Sequence, residues 1–287
     1  MSCTPDCRAQ KLITDYYYDN PKQIDLENLL FSEKLSLKTG RLNNCDGRIV
    51  FNENRGIITI SDRITNQNQK RFLIAHEMGH FFNERESKRS SNIIREDEHL
   101  FRKSDYHTLY SDLLIEKEAN QFASELLMYE PWFNDFCSNR WVSKELFKDI
   151  SEEFNVSLTA AALRYKDKGE IPIAVILSKD RVIKWAELNP EFPYRVLQES
   201  GYIAESSSTA GVYERFEYYK YPKYRYNVYG SRNTVAGNIS EKTSKCGFAS
   251  EWFMDVDFSR GFAPLNILNF PMQEYNSILT LLWESRY

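Results

Sequence analysis

RFLIAHEMGHFFN, residues 71–83, sets His76, Glu77 and His80 in the order H-E-x-x-H. Residues i and i+4 of an α-helix lie one above the other, so a helix here lets His76 and His80 turn imidazole nitrogens toward one metal ion. Glu77 is rotated just off that axis. From there its carboxylate reaches a water at the metal's open position without ligating the metal, as the general base of a zinc hydrolase must. Phe72, Leu73, Ala75, Gly79 and Phe82 make the segment apolar nearly all round, the mark of a buried helix. Two histidines and a glutamate inside such a helix need partners, because an unpaired buried charge is costly. Core histidines bonded to backbone carbonyls are the plainer alternative, and the surrounding sequence decides between the two.

With 287 residues, 42% hydrophobic and 14% aromatic, the chain has apolar material for one large core or two modest ones. A net charge of -4 supplies no broad basic surface, so direct binding to a nucleic-acid backbone is not expected. The N-terminus MSCTPDCRAQKLITDYYY lacks the apolar core of a signal peptide, and no run of eighteen apolar residues occurs. The expectation is a cytoplasmic protein with no membrane association. The cysteines at 3, 7, 45, 137 and 246 form neither a C-x-x-C pair nor an even set. Free thiols are therefore expected at Cys3 and Cys7, in a frayed terminus, and at Cys45, in a loop; a metal shared by these three is the alternative.

Upstream of the motif, about Arg8 to Leu37 reads as two helices. Ala9, Leu12, Ile13 and Tyr16 share one face; after Asn20-Pro21, Ile24, Leu26, Leu29 and Leu30 share another, with Asp25 near its start. Then the period changes. Gly47–Phe51 and Gly56–Ile60 are short β-branched runs around a turn at Asn52 to Arg55, which predicts a hairpin. An edge strand beside the histidine helix could pair with an extended peptide and lay it across the metal, or the hairpin could be plain scaffold.

Downstream, Glu84 to Asp112 is polar and predicts a loop with a short helix. His99 and His107 within it are candidates for a third ligand or an oxyanion stabiliser, or are simply solvated. Leu113 to Met128, LLIEKEANQFASELLM, carries Ile115, Ala119, Phe122, Leu126 and Leu127 as an apolar helical stripe, with Glu130-Pro131 expected to end the helix. Glu116 and Asn120 share a face of it. A glutamate from a second helix is what a two-histidine zinc site lacks, since three protein ligands leave the fourth position for water. Asn120, one turn on, is placed to orient a ligand. An ordinary surface carboxylate is the other reading of Glu116. The metzincin pattern fails, because Asn83 and Glu86 stand where it requires Gly and His.

RFLIAHEMGH, then IEKEANQFASELLM, then FNVSLTAAALRY (Phe154 to Tyr165), in this order and spacing, resemble the ImmA/IrrE family of metallopeptidases over about Ile24 to Lys168. The resemblance implies a gluzincin-like fold, zinc on His76, His80 and Glu116, and Glu77 as catalytic base. It also implies a protein partner, a helix-turn-helix repressor whose cleavage relieves repression during stress or mobile-element induction. LLMYEPW stands where the family has LLMP, with Pro131 three residues late, which bears on the helix exit and not on the ligands.

Beyond Gly169 to Pro172, which breaks the helical period, Ile173 to Leu177 and Val182 to Trp185 predict a second hairpin, and Ile278 to Trp283 a closing helix or strand. Tyr213 to Tyr229 interleaves tyrosines with Arg215, Lys220, Lys223 and Arg225: either a platform for bases and phosphates or, as β-propensity favours, a twisted hairpin with basic tips in water. The expectation for the whole is α+β: a zincin-like metallopeptidase domain over residues 1–170, and a smaller mixed α/β domain over 171–287, regulatory or substrate-binding. The function expected is a zinc-dependent endopeptidase, with Mn2+ or Fe2+ able to use the same ligands. The alternative is a zinc-containing regulator that binds its partner without cutting it.

Overall fold

The computed structural model describes residues 4–43, 45–52, 54–86, 106–198, 201–205, 207–213, 245–256, 264–272 and 276–285; of 84–86, 106–113, 245 and 246 only the backbone is described. The architecture is α+β, as the sequence predicts. The chain forms two compact units, Met1–Ser138 with Lys148–Ala161, and Asn139–Phe147 with Ala162–Tyr287.

In the first unit α1 (Pro5–Asp15) starts at Thr4, whose side chain accepts from Cys7 N–H, and Pro5 needs no donor in that first turn. Cys7 therefore lies in a capped helix rather than in a frayed end. Arg8 donates from Nη1 to Asn83 Oδ1 (2.8 Å) and Gln10 from Nε2 to Glu125 Oε1 (3.0 Å). Cys7, inside this docked helix, is disulfide-bonded, which overturns the expectation of a free thiol there. The expected second helix is α2 (Leu26–Ser32), capped by Asp25 through Glu27 and Asn28 N–H.

Where the sequence was read as helix to Leu37, β1 (Leu35–Gly40) begins instead. It pairs in parallel with β3 (Gly56–Ser61), which pairs antiparallel with β2 (Gly47–Phe51), in the order β1-β3-β2. The β2–β3 hairpin is as predicted. Its turn closes through Asn52, whose Oδ1 accepts from Asn54 and Arg55 N–H while its own N–H donates to Arg55 O.

Against this sheet lies α3 (Gln67–Glu86), with Ile74, Ala75, Met78 and Phe81 buried, and Phe81 edge-on to Phe51 at 5.4 Å. α4 (Tyr106–Leu127) packs along it through Ala119, Phe122 and Ala123. The contact is close because Gly79 has no Cβ: one built there would stand 2.9 Å from both Cα and O of Ala119. α4 ends at Leu127, and Pro131 does not end it but occupies the first turn of α5 (Glu130–Cys137). Phe154, the residue after α6 (Lys144–Glu153), packs its ring against Phe133 and Phe136. The unit boundaries fall inside α6 and α7 (Leu158–Lys168).

The second unit is β-rich. β4 (Ala174–Lys179), β5 (Val182–Leu188), β6 (Lys245–Phe248), β7 (Pro264–Met272) and β8 (Ser277–Glu284) form an antiparallel sheet in the order β5-β4-β8-β7-β6. The β4–β5 turn uses Asp180 and Arg181 at positive φ (51° and 64°), the backbone a tight hairpin requires. The closing segment is thus a strand, central and buried from Ser277 to Trp283. Of the tyrosine-rich stretch only Tyr213, which is buried, falls among the described residues.

Candidate metal centre

The paired helices bring three donor atoms together. His76 and His80 face each other with Nε2 to Nε2 at 3.0 Å, and the Glu116 carboxylate spans them, Oε2 3.3 Å from His76 Nε2 and Oε1 3.4 Å from His80 Nε2. Donors held about 2.1 Å from a tetrahedral zinc stand about 3.4 Å apart. The spacings between neighbouring donors are of that size, with one carboxylate oxygen turned to each imidazole, and among the described residues these three side chains form the one cluster able to hold a metal.

The set is also oriented. His76 donates from Nδ1 to Asn120 Oδ1 at 2.9 Å; because the amide oxygen only accepts, the proton sits on Nδ1 and the Nε2 lone pair faces the other donors. The site residues run from buried His80 through His76, 13% exposed, to Glu116, 30% exposed, so the cluster opens on its Glu116 side. Burial draws the His76 pKa down, but the hydrogen bond to Glu116, the charges of Glu77 and Glu116, and Asn120 together raise it above the ordinary value. An environment that favours positive charge on an imidazole suits a cation at the same place.

Glu77 stands next to this cluster and is only 4% exposed. Its carboxylate lies against Gly47 of β2, where a built Cβ would come within 2.5 Å of Oε1. His107 falls on the backbone of α4 with its side chain outside the described residues, as is the whole of His99. The roles of Gly47 and Gly79 carry no local signal, since each depends on an element distant in sequence.

An H-E-x-x-H helix faced by a glutamate from a second helix, beside a small sheet, defines a protein of the zinc-metallopeptidase-like class. Residues 29–166 match the family model Peptidase_M78, the IrrE N-terminal-like domain, and this part of the chain belongs to that family. Among solved structures, a chain titled Mycobacterium tuberculosis transcriptional regulator is similar in fold, with a TM-score of 0.55 at 14% identity over 98% of this chain and 76% of that one. No curated protein matches the chain. Among the described residues no helix is long and apolar enough to cross a membrane.

Proposed function

We propose that this protein is a zinc-dependent endopeptidase that cuts a helix-turn-helix transcriptional repressor at one site, in the cytoplasm, in a stress or mobile-element response. The observation that carries this reading is the convergence of His76, His80 and Glu116 within 3.0 to 3.4 Å of one another, with the buried Glu77 carboxylate beside them. His76, His80 and Glu116 would hold the zinc, and Mn2+ or Fe2+ suits the same donors. Zinc, when bound, supplies a Lewis acid that activates water and polarises a carbonyl. Glu77 takes the proton of the attacking water on its carboxylate and returns it to the leaving amine. Asn120 holds the His76 ring through Nδ1.

The sheet edge supports a peptide substrate. Asp46 O accepts from Ser61 and Asn52 N–H donates to Arg55, so the alternation of the ladder turns the backbone groups of Gly47, Ile49 and Phe51 away from β3. Among the described residues no strand pairs with that edge. An extended peptide adding there would run beside Glu77. In this reading residues 1–170 carry the chemistry and 171–287 regulate it or bind substrate.

The second reading is a zinc-containing regulator that binds a repressor without cutting it, favoured by the likeness in fold to a Mycobacterium tuberculosis transcriptional regulator. Intact-mass analysis separates the two. A helix-turn-helix repressor encoded beside this protein is incubated with the zinc-loaded wild type and with Glu77→Gln. One new cut made only by the wild type supports the peptidase; an uncut repressor that co-purifies with both forms supports the regulator; a repressor neither cut nor bound overturns both.

A further inference from the structure

Gly47 is a glycine without a backbone reason to be one. It lies in the regular extended ladder of β2 opposite Ile60, and among the described glycines only Gly201 has a positive φ. Glycine is otherwise a poor strand residue, weakening the strand and leaving nothing to pack. What it supplies here is empty space. A Cβ on Gly47 would stand 2.5 Å from Glu77 Oε1, 3.3 Å from Cδ and 3.4 Å from Cγ. The Gly47 face of β2 is the one turned to α3, since Phe51, four residues on and on the same face, packs edge-on against Phe81. The Glu77 side chain therefore occupies the volume that any other residue at 47 would fill.

We infer that Gly47 is a positioning residue for Glu77: the missing Cβ on the edge strand sets where the carboxylate rests beside the His76, His80 and Glu116 cluster. The inference rests on the reading of Glu77 as the proton carrier. The atom in conflict is the far end of a flexible side chain, so Gly47→Ala leaves the fold intact and moves the carboxylate. A misplacement of about 1 Å at a reacting group can cost on the order of a hundredfold in rate.

The test is a cycle of Gly47→Ala in three backgrounds, wild type, Glu77→Ala and Glu77→Gln, read by thermal unfolding and metal content, and by kcat and KM on the cleaved repressor. Alanine in an extended strand raises the unfolding midpoint by restricting the unfolded chain. The expected result is a gain in the Glu77→Ala background, where the space is vacant, larger by about 2 °C or more than in the wild type. In turnover, Gly47→Ala lowers kcat about ten- to a hundredfold, with KM and metal content unchanged. It removes nothing further from Glu77→Gln. Equal midpoint shifts in the wild-type and Glu77→Ala backgrounds overturn the proposal, as does an unchanged kcat in the single variant. A wild type that cuts no repressor sinks the peptidase reading, while the unfolding cycle still decides whether Gly47 and Glu77 compete for one space.

Discussion

At the scale of single residues, the proposed function divides the site into holding, orienting and proton-carrying groups, and each has its own signature. Glu77→Gln keeps shape and removes the base, so bound zinc is expected to stay while kcat falls about 10²- to 10⁴-fold, checked by metal analysis and single-turnover kinetics. Glu116→Ala removes the carboxylate that spans both Nε2 atoms. Zinc raises the unfolding midpoint of any protein whose folded state alone binds it, so the wild type should gain a zinc-dependent shift that this variant lacks. Asn120→Ala leaves all three donors and loosens His76, with affinity expected to drop about 10- to 100-fold in a chelator competition. His76, His80 and Glu77 were legible because helical periodicity alone places them. Glu116 and Asn120 were legible as a facing pair on a second helix, though not the distance to the first. Gly47 was not: its neighbour Glu77 is thirty positions away in sequence, and a strand glycine looks like any turn-flanking one.

At the scale of elements, the α3–α4 contact fixes the site, and Gly79 fixes the contact. Its built Cβ meets backbone atoms of Ala119 at 2.9 Å and Cβ of Phe122 at 3.2 Å, none of which can swing aside. Gly79→Ala is therefore expected to push the helices apart and destabilise by about 1–3 kcal/mol, measured by urea unfolding. Zinc affinity should fall with it, because the donors sit on both helices. The long amphipathic segments were readable from the sequence; two strands were not. Leu35–Gly40 is buried only at Leu35 and its parallel partner is the second strand of the hairpin that follows, so nothing local distinguishes it from the tail of α2. β8 is buried at every position from Ser277 to Trp283 and shows no alternation, so periodicity cannot tell strand from helix. Pro131 reads as a stop in sequence because proline ends one helix as readily as it begins the next, and here it begins α5.

At the scale of the whole molecule, the chain passes from the first unit to the second, back, and over again, at residues 138, 147 and 161. A sequence-based division near 170 follows the glycine and proline there; by compactness Asn139–Phe147 and Ala162–Lys168 group with the strands that follow. Phe147 is fully buried, its ring 5.3 Å from that of Tyr165 and 6.0 Å from that of Phe270 on β7. A chain ending at 170 keeps the first two rings and loses the third. Such a fragment is expected to bind a hydrophobic dye and to sediment as aggregates, whereas a dye-silent monomer would show that residues 1–170 stand alone. The same interleaving orders events on the ribosome. Phe147 leaves the exit tunnel roughly 120 residues ahead of Phe270, a delay on the order of ten seconds at ordinary translation rates. The donors of the metal centre are all synthesised before that wait begins. A nascent chain can therefore bring His76, His80 and Glu116 together while part of α6 is still without its final cover.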